Sequence, residues 1–231
     1  MKRKYKIAIW IMIMLLVVIG FSGFYFVSEH LKGDPDKINE TAYILKEKME
    51  EKYGIAITRS KGVYTNTAGY SATLTTETGV TFDAWNRPGD PVDFYMEEVW
   101  REKGLNKWGY ADTYIADVEK VDLNVGYRDK SKKDQSKLNQ PVERVKDDLW
   151  LTLYVEMKNP YQEKKAKQVE REIYMYYKQL QKDGAKGVEL IVRHDENVLQ
   201  QDTGSYMILR DDHGVMPDIT GAASVAETIF K

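Results

Sequence analysis

The chain has 231 residues, 34 Lys plus Arg, 36 Asp plus Glu and no Cys, for a formal net charge of −2. Without Cys there are no disulfides, thiolate nucleophiles, Cys–zinc sites, iron–sulfur clusters or lipoprotein anchors. A near-neutral charge lacks the basic excess of a nucleic-acid binder, so nucleic acid is not an expected partner.

Residues 7–27 (IAIWIMIMLLVVIGFSGFYFV) hold no charge. Twenty-one residues at about 1.5 Å each span a hydrocarbon core of about 30 Å. Lys2, Arg3, Lys4 and Lys6 precede the run, and the first acid is Glu29. Retained positive charge predicts a cytoplasmic tail at 1–6, a transmembrane anchor at 7–27 and everything later outside. Trp10 and the Phe24-Tyr25-Phe26 group suit the two lipid–water interfaces. The run exceeds the usual apolar region of a signal peptide, and its best small pair, Gly20 and Ser22, lies inside it. Retention as a signal-anchor is therefore expected. Removing residues 1–28 leaves 30 bases against 36 acids, a charge of −6.

Residues 28–36 read as a linker, because Gly33 and Pro35 break helix. Asp36 is placed to cap an amphipathic helix over 37–53, with Ile38, Ala42, Leu45 and Met49 on one face and Gly54 as the stop. Strands are predicted at 55–60, 70–76 and 80–85, the last two joined by a Glu77-Thr78-Gly79 turn. Asp90-Pro91 reads as the start of a helix over 92–103, ended by Gly104. Residues 107–116 are ambiguous, and 119–128 alternate as a strand with one buried face.

Residues 129–147 form a polar loop, expected to be mobile. Its Lys130, Lys132, Lys133 and Lys137 suit either solvation or contact with an anionic wall polymer. Residues 148–158 form a strand with Leu149, Leu151, Leu153 and Val155 on one side. A long helix over 161–182 follows, with Ala166, Val169, Ile173, Tyr176, Tyr177 and Leu180 inward. Strands are expected at 188–193 and 205–210, an edge strand at 215–219, and a weak helix or frayed tail at 220–231.

Two stretches share the order helix, Gly, strand, loop, strand, Gly-Val. That order suggests a first helix-plus-sheet unit at 37–128 and a second at 148–231, as a tandem helix–meander duplication. The predicted class is α+β: an N-terminal transmembrane helix, then an extracytoplasmic domain of antiparallel sheet with packed helices.

Chemistry-bearing constellations are sparse. His194, Asp195, Asp211, Asp212 and His213 fall at the ends of two neighbouring strands and are the one candidate metal set. Their spacing matches no compact zinc pattern, and HDEN and DDHG are also ordinary turn sequences. No nucleophile motif or phosphate loop is present, and no cofactor is expected. Glu97-Glu98 reads as a solvated helix face. Aromatics are in excess, with 16 Tyr, 5 Trp and 6 Phe. Most of the Trp are expected in the core. Tyr154, Tyr161, Tyr174 and Tyr177 are candidates for an exposed contact patch.

The combined expectation is a single-pass, non-enzymatic interaction module at the cell envelope, in keeping with a bacterial cell-surface protein. Its partners would be the membrane through 7–27 and an envelope protein, peptide or wall component. The alternatives are a metal-dependent envelope hydrolase using the His194, Asp211 and His213 region, or a structural subunit of a membrane complex.

Overall fold

The computed structural model describes residues 14–22, 25, 32–129, 133–194, 205–211 and 214–230. The fold is a mixture of helix and sheet, consistent with α+β, and divides into two compact units, 1–95 and 96–231. Of the apolar run, residues 14–22 are helical and exposed. No helix among the described residues is long and apolar enough to cross a membrane, and much of the expected span lies outside them.

In the first unit, α1 (Pro35–Tyr53) starts two residues earlier than expected. The cap is Asp34, not Asp36: its carboxylate accepts the Asp36 N–H at 2.9 Å, and Pro35 occupies the first turn. Gly54 ends the helix at φ 64°, its N–H bonded to Glu50 O. The antiparallel sheet follows in sequence order: β1 (Ile57–Thr65), β2 (Gly69–Thr76), β3 (Thr81–Trp85) and β4 (Val92–Asp93). Leu45 and Met49 of α1 are fully buried, as are Leu74 and Ala84 of the sheet. At Gly62 a Cβ would strike the Ile38 carbonyl, so glycine permits the close approach of β1 to α1.

Residues 92 and 93, expected to open a helix, instead pair with β3. Asp93 then caps α2 (Tyr95–Trp108) by accepting the Tyr95 N–H at 3.1 Å. The division between units falls at the first residue of α2.

In the second unit, α2 runs through Gly104, which was expected to end it, and stops at Gly109. A Cβ at Gly104 would collide with Leu123, so this glycine serves packing. Strand β5 (Val118–Tyr127) belongs to this unit, where the sequence reading grouped it with the first. It pairs antiparallel with β6 (Leu149–Met157), a partner that lies across the polar stretch in sequence. Between them, residues 142–145 form a short helix, α3 (Val142–Val145).

Residues 133–147 of the expected mobile loop are packed and paired. Val142 and Val145 are buried, Lys133 pairs with Glu97, Lys137 pairs with Asp148, and Lys103 donates to the carbonyls of Leu138 and Gln140. Residues 130–132 lie outside the described residues.

Helix α4 (Ala166–Lys182) buries Ala166, Ile173, Tyr176, Tyr177 and Leu180, with Val169 half-buried. It begins later than expected, after extended residues and a single 3₁₀ turn at Glu163–Lys165. It joins β6 to β7 (Glu189–His194), and those two strands are parallel. A helix of this length returns the chain to the starting edge, which a tight turn cannot do. β8 (Ser205–Ile208), α5 (Ala222–Ala226) and β9 (Ile229–Phe230) complete the unit. The sheet order is β5-β6-β7-β8-β9, with every pair antiparallel except β6–β7.

The topology differs from a tandem duplication. The first unit is a helix followed by a meander, whereas the second is built around a parallel strand–helix–strand crossover. Residues 215–219, matched to β3 in the proposed repeat, form no strand, and the tail supplies α5 and β9 instead. The core of the second unit lies on one sheet face, where Leu149, Leu151, Leu153 and Val155 meet Trp100, Trp108, Ile173 and Tyr176. Trp108 donates to Asp183 O at 3.2 Å, and its own carbonyl accepts from the Tyr176 hydroxyl at 2.6 Å. Both indoles are therefore core residues, as expected.

Candidate functional site

The candidate metal residues do not converge among the described residues. His194 ends β7 opposite Met157. Strand β8 runs back along β7, with Ile208 opposite Leu190, and the Arg210 N–H reaches Glu189. Asp211 therefore sits beyond the starting end of β7. Five residue-to-residue steps separate Glu189, at that end, from His194, about 17 Å at roughly 3.3 Å per step. Antiparallel pairing places His194 and Asp211 at opposite ends of β7, where the linear sequence suggested one edge.

Asp211 has a local task as well. Its carboxylate accepts the Val215 N–H at 2.8 Å, and its carbonyl accepts from Gly214, which makes a turn. Asp195, Asp212 and His213 lie outside the described residues. Among the described residues, no group of three His, Cys, Asp or Glu could hold a metal ion.

The four candidate contact tyrosines are dispersed. Tyr177 is buried and belongs to the core, because it follows Tyr176 onto the inward face of α4. Tyr174 is half-buried on α4 with Lys178 over its ring. Tyr161 packs edge-on against His194, with ring centroids 5.6 Å apart. Tyr154 lies on the outer face of β6, with Arg193 stacked over it and paired to Glu156.

That outer face carries an arrangement the sequence did not reveal. Trp150 is 46% exposed, in contrast to the two core indoles of this unit. The Arg128 guanidinium lies 4.8 Å from its ring centroid and that of Arg210 5.6 Å. Arg128 Nε–H donates to Leu149 O at 2.8 Å, and Arg210 donates to Gly187 O, so both guanidiniums are tied to backbone. Among the described residues neither has a carboxylate partner. Glu189, nearby on β7, is engaged by the Thr152 hydroxyl at 2.7 Å and the Arg210 N–H at 3.3 Å. The two arginines and this glutamate sum to +1. One row further along the strands, Tyr154, Ile191 and Met207 stand side by side across β6, β7 and β8. The three groups of the Trp150 cluster come from positions 22 and 60 residues apart, and no short motif could have announced them.

A second feature is a cleft beside the carboxyl ends of β6 and β7, against the first turn of α4. Its volume is about 60 Å³, and Met157, Tyr161, Val169, Glu172 and His194 are among its walls. Asp117 at its rim is the only described non-glycine residue with positive φ, at 59°.

Comparison with protein-family models, with curated proteins and with solved structures finds no match for this chain.

Proposed function

We propose that this protein is a membrane-anchored, extracytoplasmic binding module. In this reading the outer face of its second sheet docks an acidic segment of a partner protein at the cell envelope. The observation that carries the binding reading is Trp150, half-exposed between two guanidiniums that no carboxylate neutralises among the described residues. A flat aromatic between fixed cations suits carboxylates, which guanidinium binds through paired N–H donors. Trp and Arg are also the residue types that most often dominate interface energetics. The Tyr154–Ile191–Met207 row offers adjoining apolar area.

Anchorage is supported by the uncharged run at 7–27 and its basic flank. Within it, Met14 to Ile19 and Phe21 each leave more than half of their surface exposed. So much contiguous apolar surface favours an apolar phase over water.

The test uses the full-length chain in intact cells, with a photo-crosslinking amino acid at position 152. The expected result is a cross-link to one envelope protein, at an Asp- or Glu-rich site. It should be lost in Arg128→Glu and Arg210→Glu and retained in Arg59→Glu. External protease should digest the second unit in the same cells. Cross-links that ignore the arginine charge reversals would overturn the docking face. Protection of the second unit from external protease would overturn the topology.

A further inference from the structure

The cleft at the carboxyl ends of β6 and β7 lies where open sheets with parallel strands tend to receive ligands, beside the crossover helix. With a volume of about 60 Å³, it has room for a few waters or the end of one side chain. Its chemistry narrows the choice.

The first constraint is the state of His194. Its Nδ1 lies 3.0 Å from the carbonyl oxygen of Asn159. A carbonyl only accepts, so Nδ1 carries the proton and donates. In the neutral ring Nε2 is then a bare acceptor. That nitrogen is buried and has no hydrogen-bond partner among the described residues. An unpaired buried acceptor costs about 1–3 kcal/mol, so the site lacks a donor.

The second constraint is charge. Glu172 and Asp117 line the cleft against one base, Lys165, for a sum of −1. Glu172 is held in place: one carboxylate oxygen accepts the Ala116 N–H at 3.0 Å and the other accepts from Gln168 at 2.8 Å. Each oxygen keeps capacity for a further donor. The rest of the wall sets the apolar side chains of Met157 and Val169 and the Tyr161 ring beside the amides of Asn159, Gln162 and Gln168. The occupant that matches is donor-only, positively charged and carried on a short apolar stem.

We propose that this cleft binds a primary alkylammonium group. One N–H donates to His194 Nε2, the charge faces Glu172 and Asp117, and the methylenes lie against Met157, Val169 and Tyr161. The group is either the side-chain end of a lysine on another chain or a free small amine. The inference is independent of the docking face around Trp150.

The test is made on the full chain in lipid nanodiscs, titrated with n-propylammonium chloride against sodium chloride as control. The chain holds three histidines, and the His194 ring nitrogens are assigned by comparison with His194→Gln. The expected result is a saturable shift of the His194 Nε2 resonance in the millimolar range. Glu172→Gln should weaken binding about tenfold, the loss of one charge-assisted contact. Because Glu172 also holds the Ala116 N–H, the exposed Asp117→Asn serves as a second variant, expected to weaken binding two- to threefold. Asn tolerates the positive φ at that position.

A second arm titrates the blocked peptide acetyl-Gly-Lys-Gly-amide. Binding ten times tighter than propylammonium identifies a chain-borne lysine as the occupant, and equal binding identifies a free amine. Three results would overturn the proposal: no saturable shift with either probe, an equal shift with sodium chloride, or a shift with sodium acetate in place of the ammonium.

Discussion

Asp93 and Tyr53 meet inside the first unit, the phenol donating to Asp93 Oδ1 at 2.7 Å. The same carboxylate takes Lys52 Nζ at 2.7 Å and the Tyr95 N–H at 3.1 Å. Its side chain is 1% exposed. One buried acid thus ties the end of α1 to the last residues of the first unit. A buried charge of this kind is tolerated only while its partners satisfy it. Asp93→Ala removes the carboxylate that accepts from the Tyr53 hydroxyl and uncaps Tyr95. The expected cost is about 3 kcal/mol, read by urea denaturation of the full chain. A change under about 0.5 kcal/mol would show that the cluster is not holding the end of α1.

Gly104 in the middle of α2 makes an unusual prediction. Ala is a better helix former than Gly by about 1 kcal/mol. Here Gly104→Ala should nevertheless destabilise by about 1–3 kcal/mol, because its Cβ would overlap Leu123. The double variant Gly104→Ala, Leu123→Ala should lose less than the sum of the single variants, since the second change removes the obstacle. Strict additivity would mean that the contact is not the reason for the glycine.

The Glu97–Lys133 pair, at 2.9 Å, fastens the polar stretch to α2. The Glu97 side chain is 13% exposed, so removing its partner leaves a carboxylate largely out of water. Lys133→Met is expected to speed amide exchange at Lys137 and Gln140, whose N–H groups form the turns of this stretch. Unchanged exchange would show that Val142 and Val145 hold the segment alone.

Two groups set opposite limits of pH stability. Burial pushes the Tyr127 phenol up to about 12, with the Trp100 N–H opposing and the acids Glu97, Asp148 and Asp134 adding. An unfolded tyrosine ionises near 10, so the unfolded state loses its proton first. Stability should therefore fall as pH rises from about 10 to about 12, and Tyr127→Phe should remove about one proton from that slope. At low pH the sign reverses for Asp122. Burial alone would raise its pKa, but bonds from Arg101 and the Leu123 N–H outweigh it and hold it below the ordinary value of 3.8. Its contribution is present above that value and is lost as pH falls through the lowered one. Arg101→Met should move the acid midpoint of denaturation upward.

Local pattern and tertiary context divided the work along the chain. The alternation of Leu149, Leu151, Leu153 and Val155 was legible because strand side chains repeat every two residues, and all four are buried. The inward face of α4 was legible for the same kind of reason, at a helical period. The first-unit meander followed from turn residues, as at Gly79 with φ 92°. Failures came where a local rule met a distant contact. Asp90-Pro91 carries a helix-start signal, yet Val92 and Asp93 are claimed by β3. Gly104 carries a helix-stop signal, yet it marks the closest approach of α2 to Leu123.

The sites separate along the same line. Residue chemistry alone determined that no thiol chemistry is available, that 7–27 is uncharged and flanked by bases, and that the later chain is an α+β mixture. Those properties depend on residue type and on spacings of a few residues. Tertiary structure alone decided that β5 pairs with β6, that His194 and Asp211 stand at opposite ends of β7, and that Trp150 lies between Arg128 and Arg210. Strand register and crossover direction set these relationships. Both depend on which distant segments bury surface against each other, and that choice leaves no periodic trace in the sequence.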